Sequence, residues 1–293
     1  MYTVKRLNEL TFDEALQIWN EGFKGYLVEV SMTLEGFISR IVKENLSISK
    51  SIVAYDGERP VGILLNGIQE VNGVKVAWNG GTAVIPEYRN KGVGKFLVES
   101  VEEINRVEEV EISTLEAISE NTPAIELYKK MGYEIADSLL LMNHDDSLLL
   151  EAGEGHFSFK KGNAHDIFSL DIYDTDIKPW QTEWFNNKDA EILTIQDDNK
   201  NAGYFLYRRV LDKSGSQIAT VLYQGHAAKD RGDQKQIILA GLKKVFHPLD
   251  MKMKRMTVNT PLGNKVLVDA LKELGFSVST EQVFMTKKIG GVS

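Results

Sequence analysis

With 293 residues, 43% hydrophobic and 26% charged, the chain is long enough for two domains, each with its own core. A net charge of −8 and a pI of about 5.3 argue against a nucleic-acid partner, which usually leaves a basic surface. The lack of cysteine excludes disulfides and a catalytic thiol, and the five scattered histidines give no paired ligand spacing, so no metal is expected. The opening Met1-Tyr2-Thr3-Val4-Lys5-Arg6 lacks a signal-peptide core, and no apolar run nears the ~20 residues of a membrane helix. The expected setting is the cytoplasm, without a membrane partner.

In chain order, Tyr2 to Leu7 alternates like a strand. Thr11 and Glu14 form a capping box for a helix carrying Phe12, Leu16, Ile18, Trp19 and Phe23, with Gly22 and Gly25 at its end. A second helix is expected after Ser31 or Thr33, with Phe37, Ile38, Ile41 and Val42 on its apolar side. Ser51 to Tyr55 and Val61 to Gly67 flank Asp56-Gly57, a hairpin signal. Val74 to Val84 reads as a strand, broken near Gly80-Gly81. It feeds Pro86-Glu87-Tyr88-Arg89-Asn90-Lys91-Gly92-Val93-Gly94-Lys95, and then a helix to about Val107 with Phe96, Leu97, Val101 and Ile104 on one side. At such a strand-to-helix junction the first N–H groups of the helix have no intrahelical partner, and the glycines let an anion approach them. The same glycines would also suit an ordinary turn. The strand-to-helix context, with Arg89 and Lys95 adding charge, favours a pyrophosphate held by Arg89, Asn90, Lys91, Gly92, Val93, Gly94 and Lys95.

Val110 to Glu116 is a further strand. Asn121 to Gly132 is a helix, with Pro123 in its first turn and Gly132 at its end, and Tyr133 to Met142 returns as a strand. A linker is expected over residues 143–155, interrupted by Leu148-Leu149-Leu150. The second half then repeats the first. Phe157 to Asn163 echoes the first strand, and Glu191 to Ile195 and Ala202 to Tyr207 echo the hairpin. Asn264, Gly275 and Phe276 stand at the same spacing as Asn121, Gly132 and Tyr133. The helical pair of this copy is shortened. Its loop, Ala228 to Lys235, has one glycine and adds Asp230 and Asp233, which would repel a pyrophosphate, and Leu271 replaces Tyr128.

Two stretches resemble the Gcn5-related N-acetyltransferase (GNAT) superfamily. Pro86-Glu87-Tyr88-Arg89 followed by Gly92 and Gly94 matches its acyl-CoA loop, and Asn121, Ala124, Tyr128, Gly132 and Tyr133 match its second motif position by position. The resemblance covers residues 1 to about 142. It implies an α+β fold: two tandem GNAT-like domains, each a mixed, mostly antiparallel twisted sheet flanked by helices. The expected division is residues 1–142 as the catalytic domain, 143–155 as linker and 156–293 as a degenerate copy. It further implies acetyl-CoA as co-substrate and transfer of acetyl to the primary amine of a small-molecule or peptide acceptor, in a ternary complex. Tyr128 is then the acid for the departing thiolate, and Glu116, 12 residues earlier, is the candidate base or else a solvated strand-end residue. The oxyanion donor is expected to be a backbone N–H near Val84 or Ile85. Asn121 is either a cofactor contact or a helix cap, and Trp19, Phe23 and Tyr26 either line the acceptor pocket or, for Trp19 above all, fill the core. The alternative class is a non-catalytic acetyl-CoA sensor or scaffold.

Overall fold

A computed structural model describes residues 1–150 and 156–290. In chain order its elements are β1 (Tyr2–Arg6), α1 (Phe12–Gly22), α2 (Leu34–Lys43), β2 (Ile52–Asp56), β3 (Arg59–Val71), β4 (Val74–Val84), α3 (Val93–Val107), β5 (Ile112–Ile118), α4 (Thr122–Lys130) and β6 (Glu134–His144). They continue with β7 (Ser158–Asn163), β8 (Glu191–Asp197), β9 (Lys200–Leu211), β10 (Gln217–Ala227), α5 (Gln234–Val245), β11 (Lys254–Pro261), α6 (Lys265–Glu273) and β12 (Ser277–Lys288). The fold is α+β. No helix among the described residues is long and apolar enough to cross a membrane.

The chain divides into two compact units. In unit 1 the strand order is β1-β2-β3-β4-β5, all antiparallel except the parallel β4–β5 pair. Thr11 caps α1 in the expected box with Glu14, and Thr33 caps α2. Helices α3 and α4 cover one face: Leu97, Val98 and Val101 meet Ile52, Val61, Leu64 and Leu115, with Ile125 and Tyr128 from α4. On α1 and α2, Trp19 and Phe37 are fully buried with rings 6.1 Å apart, and Arg40 lies over the Trp19 ring. Trp19 is thus a core residue. Val42 is 70% exposed, because it falls on the polar side of α2 rather than beside Ile41.

The domain boundaries differ from those expected. Unit 1 holds residues 1–136 and the chain from 283 on, whereas unit 2 holds 137–282. Most of β6, which follows α4 and was expected to complete the first domain, belongs to unit 2 and pairs there with β11. The end of β12 takes the place beside β5, where the Ile289 N–H donates to the Glu111 carbonyl and Val283 and Met285 enter the core. The two copies have exchanged their last strands. The linker also begins later than expected, since Asn143 and His144 are in β6. Leu148 is buried in the core of unit 2, and residues 151–155 of the expected linker lie outside the described residues.

Unit 2 repeats the plan: β12-β6-β11-β10-β9-β8-β7, with the β10–β11 pair parallel where β4–β5 is parallel in unit 1. Its helix α5 buries Ile237, Ile238, Leu242 and Val245 against Phe205 and Leu193. Between β7 and β8 the described residues contain no α-helix, only short 3₁₀ turns at Ala164–Ser169, Trp180–Thr182 and Trp184–Asn186. The shortened helical pair is therefore replaced rather than trimmed. Glu183 in this segment is buried, and neither carboxylate oxygen has a well-formed hydrogen bond. Burial pushes its pKa up to about 7, although Lys178 and the Tyr173 phenol offset part of the cost.

The exchange is testable through Lys287 in β12. Its ammonium is 2.6 Å from the buried Glu102 carboxylate on α3 and also donates to the Met131 carbonyl at the end of α4. Among the described residues, Lys287→Met leaves Glu102 with Arg106, at 3.7 Å. Urea unfolding should show a loss of about 2 kcal/mol, below the usual cost of breaking a buried pair because Arg106 remains. An unchanged midpoint would mean that the last strand does not brace unit 1. Glu183 gives a pH test. Its folded pKa lies above the unfolded value, so the folded state holds the extra proton and stability falls as pH rises from about 4.5 to about 7. Glu183→Gln should flatten that slope, which is worth on the order of 3 kcal/mol across the window. Parallel stability–pH curves for variant and wild type would contradict it.

Candidate active site

The site begins where β4 and β5 part. Their parallel register ends at Asn79 and Leu115, although β4 runs on to Val84 and β5 to Ile118. The cause is local. Between Asn79 and Gly81 the β3–β4 register slips by one residue, leaving Gly80 unpaired, and Gly81 has φ +148°. A Cβ on Gly81 would lie 2.6 Å from the Trp19 ring, so only glycine lets α1 come this close. Arg40 from α2 donates to the freed Gly80 carbonyl.

Beyond the bulge, Ile85 N–H donates to the Val61 carbonyl. Antiparallel alternation then puts Ala83 in the next bonded pair with Ile63 and turns the backbone groups of Thr82 and Val84 toward the β5 side, where no strand pairs with them. The Val84 carbonyl accepts from Arg89 Nε at 3.2 Å, which agrees with that orientation. Of the two expected oxyanion donors, Val84 has a backbone that no strand pairs with on the β5 side. Ile85 does not, because its N–H is committed to β3.

The glycine loop follows a 3₁₀ turn at Pro86–Tyr88. Asn90 and Gly92 adopt left-handed conformations, with φ of 61° and 86°, and Gly92 is the N-cap of α3. The Val93, Gly94 and Lys95 N–H groups occupy the first three positions of α3 and have no partner within the helix. A Cβ on Gly92 would meet nothing within 4 Å, so the cradle is open on that side. The side chains behave differently from expectation. Arg89 is a clamp rather than a charge offered to a ligand, since its guanidinium donates to the Gly22, Lys24 and Val84 carbonyls. It ties the end of α1 to the end of β4. Val93 is buried in the core and contributes only its N–H. Gly94 packs under Leu127, 3.2 Å from a built Cβ, and lets α4 approach α3. Lys91 lies 5.2 Å from the Tyr88 ring, and Lys95 stays exposed, 3.5 Å from Glu99.

Tyr128 reaches this fork from α4. Its hydroxyl lies 3.4 Å from Asn79 Nδ2, and Asn79 is in turn bonded to Thr82 and to the Gly81 N–H. Burial pushes the phenol pKa above its ordinary value, with the Thr82 and Asn79 hydrogen bonds recovering only part, so Tyr128 holds its proton through neutral pH. Glu116 comes from the other face. Leu115 and Ala117 point into the α3–α4 core, so Glu116 between them points toward α1 and α2. It is half-buried rather than solvated at a strand end, and accepts a 2.6 Å hydrogen bond from the Trp78 indole. Asn121 caps α4 by accepting from the Ala124 N–H, and its amide donates to the Tyr26 hydroxyl. Both ends of its side chain make structural bonds, the capping role that the sequence offered as one of two readings. Tyr26 and Phe23 are partly exposed, with rings 5.1 Å apart. Asn79, Thr82 and Trp78 were missed from sequence, since their role depends on where the β4–β5 pairing stops.

Over residues 12–133 the sequence matches the acetyltransferase (GNAT) family model. The first unit belongs to the GNAT superfamily. None of the curated proteins is similar to the chain in sequence. Solved structures match the tandem GNAT fold along its whole length. A tandem GNAT protein from the clavulanic acid biosynthesis pathway superposes with a TM-score of 0.60 at 15% identity, covering 100% of this chain and 99% of that one. A GCN5-related N-acetyltransferase from Sphaerobacter thermophilus gives 0.65 at 12% identity, covering 100% and 97%. One from Anabaena variabilis gives 0.61 at 13%, covering 99% and 73%.

The corresponding loop of unit 2 carries an ion network of its own. Arg231 is bonded to Asp233, the N-cap residue of α5, and to Asp197 of the β8 hairpin, while Gln234 bonds to the Ala228 carbonyl. Leu271 at the Tyr128 position is fully buried. Asn264 repeats the capping role of Asn121, so what the copies share is structural. Titration should therefore give one acetyl-CoA per chain. Gly92→Asp tests where it binds: aspartate tolerates a left-handed backbone, and its carboxylate would face the anion. Affinity should fall by roughly tenfold or more with little change in melting temperature. Unchanged affinity in calorimetry would move the cofactor elsewhere.

Proposed function

We propose that this protein transfers acetyl from acetyl-CoA to a primary amine by direct attack within a ternary complex. The observation that carries the reading is the buried Tyr128 phenol, which meets Asn79 at the fork between β4 and β5, in the same unit as the N–H groups that open α3. Acetyl-CoA supplies the activated acyl group. The residues supply the rest. The N–H groups of residues 93–95 hold the pyrophosphate, and open backbone around Gly92 leaves it room. The Val84 N–H donates to the carbonyl oxygen as negative charge builds there. Glu116, on the α1–α2 side, removes a proton from the acceptor amine, directly or through a water, so that the nitrogen lone pair forms the new C–N bond. Tyr128, on the α3–α4 side, gives its proton to sulfur as the C–S bond breaks, and recovers one from solvent. Acid and base thus approach the fork from opposite faces of one sheet, which suits a reaction between two substrates. The partly exposed Phe23 and Tyr26 favour an acceptor with an apolar body.

Tyr128→Phe should keep acetyl-CoA affinity near wild type and lower kcat by ~10²–10⁴-fold, as for loss of a general acid. An unchanged kcat, with chemistry rate-limiting, would return Tyr128 to the core. Glu116→Gln should lose most activity at low pH, where the amine most needs a base; superimposable pH–rate profiles would remove Glu116 from the mechanism. Acetyl-CoA consumption across a panel of amines identifies the acceptor class. Slow turnover that no amine accelerates would instead favour a sensor.

A further inference from the structure

The one-residue slip at Gly80 does more than part β4 from β5. In a regular strand, residues three apart lie on opposite faces of the sheet. Asn79 and Thr82 are three apart, yet Asn79 stands opposite Asn66 and Thr82 opposite Leu64, which are only two apart in β3. Both side chains therefore share the face on which Leu64 packs against α3 and α4. Tyr128 arrives from α4 on that same face. Without the slip, Thr82 would point to the other face, and the phenol would meet one polar side chain rather than two.

What the pair does follows from the burial of Tyr128, which is 7% exposed. Once its proton has gone to sulfur, the phenol oxygen carries a negative charge out of reach of water, and such a charge is costly without donors. Two donors are in place. Asn79 Nδ2 donates to the phenol oxygen at 3.4 Å. The Thr82 hydroxyl is within bonding reach of the same oxygen and donates to Asn79 Oδ1, 3.2 Å away. The first bond is long and the second donor is turned aside, so both contribute little to the resting phenol. Both strengthen as charge appears on the oxygen, one by closing slightly and the other by rotation about a single bond. An interaction made mainly in the transition state is the kind that speeds a reaction. Asn79 is itself held, because its Oδ1 accepts from the Gly81 N–H at 3.0 Å. The other titratable groups near Tyr128 among the described residues are phenols, Tyr26 and Tyr133, bonded to Asn121 and Ser113 respectively. Neither offers positive charge, so the relief falls to Asn79 and Thr82.

We propose that Asn79 and Thr82 are positioning residues that carry the Tyr128 phenolate during acetyl transfer. The proposal rests on the acetyltransfer reading, and its test separates the two. Thr82→Val keeps the shape of the side chain and removes the hydroxyl, Thr82→Ser returns it, and Asn79→Leu removes the amide. Fluorotyrosine is placed at position 128 of the full chain in each background, and the phenol is titrated by fluorine NMR. Its midpoint should lie at higher pH in Thr82→Val and Asn79→Leu than in wild type, and return in Thr82→Ser. With ordinary Tyr128, and on the amine of the panel that wild type turns over fastest, kcat should fall roughly tenfold or more in Thr82→Val and recover in Thr82→Ser, with acetyl-CoA affinity unchanged. Loss of packing alone would alter stability or affinity without moving the phenol in step with kcat. Should Asn79→Leu not fold, because it also loses the Gly81 bond, the Thr82 pair decides alone. An unmoved midpoint overturns the proposal whatever the activity. A moved midpoint with normal kcat overturns it as well where Tyr128→Phe is slow. Where Tyr128→Phe is as fast as wild type, or wild type turns over no amine, the acetyltransfer reading has failed and the proposal falls with it.

Discussion

The parting of β4 from β5 is the constraint on which the site depends. Parallel strands in a sheet normally keep their ladder to the end, because an abandoned N–H or C=O must find another partner. Here the ladder stops at Asn79 and Leu115, and the residues that follow are each answered differently. Gly80 gives its carbonyl to Arg40, Gly81 its N–H to Asn79, and Val84 its carbonyl to Arg89. Arg89 and Arg40 anchor α1, α2 and the glycine loop to the same few residues of β4. What remains is a short stretch of edge with donors facing outward, framed by Tyr128 on one face of the sheet and Glu116 on the other. The arginine of the loop thus acts at one remove, by fixing the backbone that would bind.

Much of this was legible in the sequence where the physics is local. Capping at Thr11, the Asp56-Gly57 turn, the strand-to-helix glycines and the end of α4 all follow from dihedral preference and hydrogen bonding within a few residues. The α+β duplication was visible because both copies repeat those local signals. Three things were not legible. The break near Gly80-Gly81 was expected, but its consequence depends on Trp19 arriving from another element, so neither the Thr82–Asn79–Tyr128 cluster nor the loss of Ile85 as a donor could be read. The Trp78–Glu116 bond depends on the β4–β5 register. The exchange of β6 and β12 was hidden because each strand has the same apolar pattern as the one it replaces, and periodicity assigns a strand to a face but not to a neighbour.

The second unit shows what a copy retains once the motif residues of its loop are changed. Arg231 pairs with Asp197 and Asp233, which bring negative charge to the loop, and Leu271 puts an apolar side chain where unit 1 has a phenol. The segment of 3₁₀ turns around Trp180 and Trp184 likewise replaces the two helices of unit 1 with packed aromatic rings, Trp180 on Phe185 and Trp184 on Phe168.

The strand exchange also ties the two copies together in sequence. A gene that shed its second half would delete a strand from the first, so the copy without an open loop cannot be lost by simple truncation. The same wiring sets an order of events during synthesis. At about 5–20 residues per second, the ribosome needs on the order of ten seconds to travel from Ala136 to Val283. Throughout that interval one edge of β5 lacks its partner, and an uncovered edge is a template for pairing with other chains.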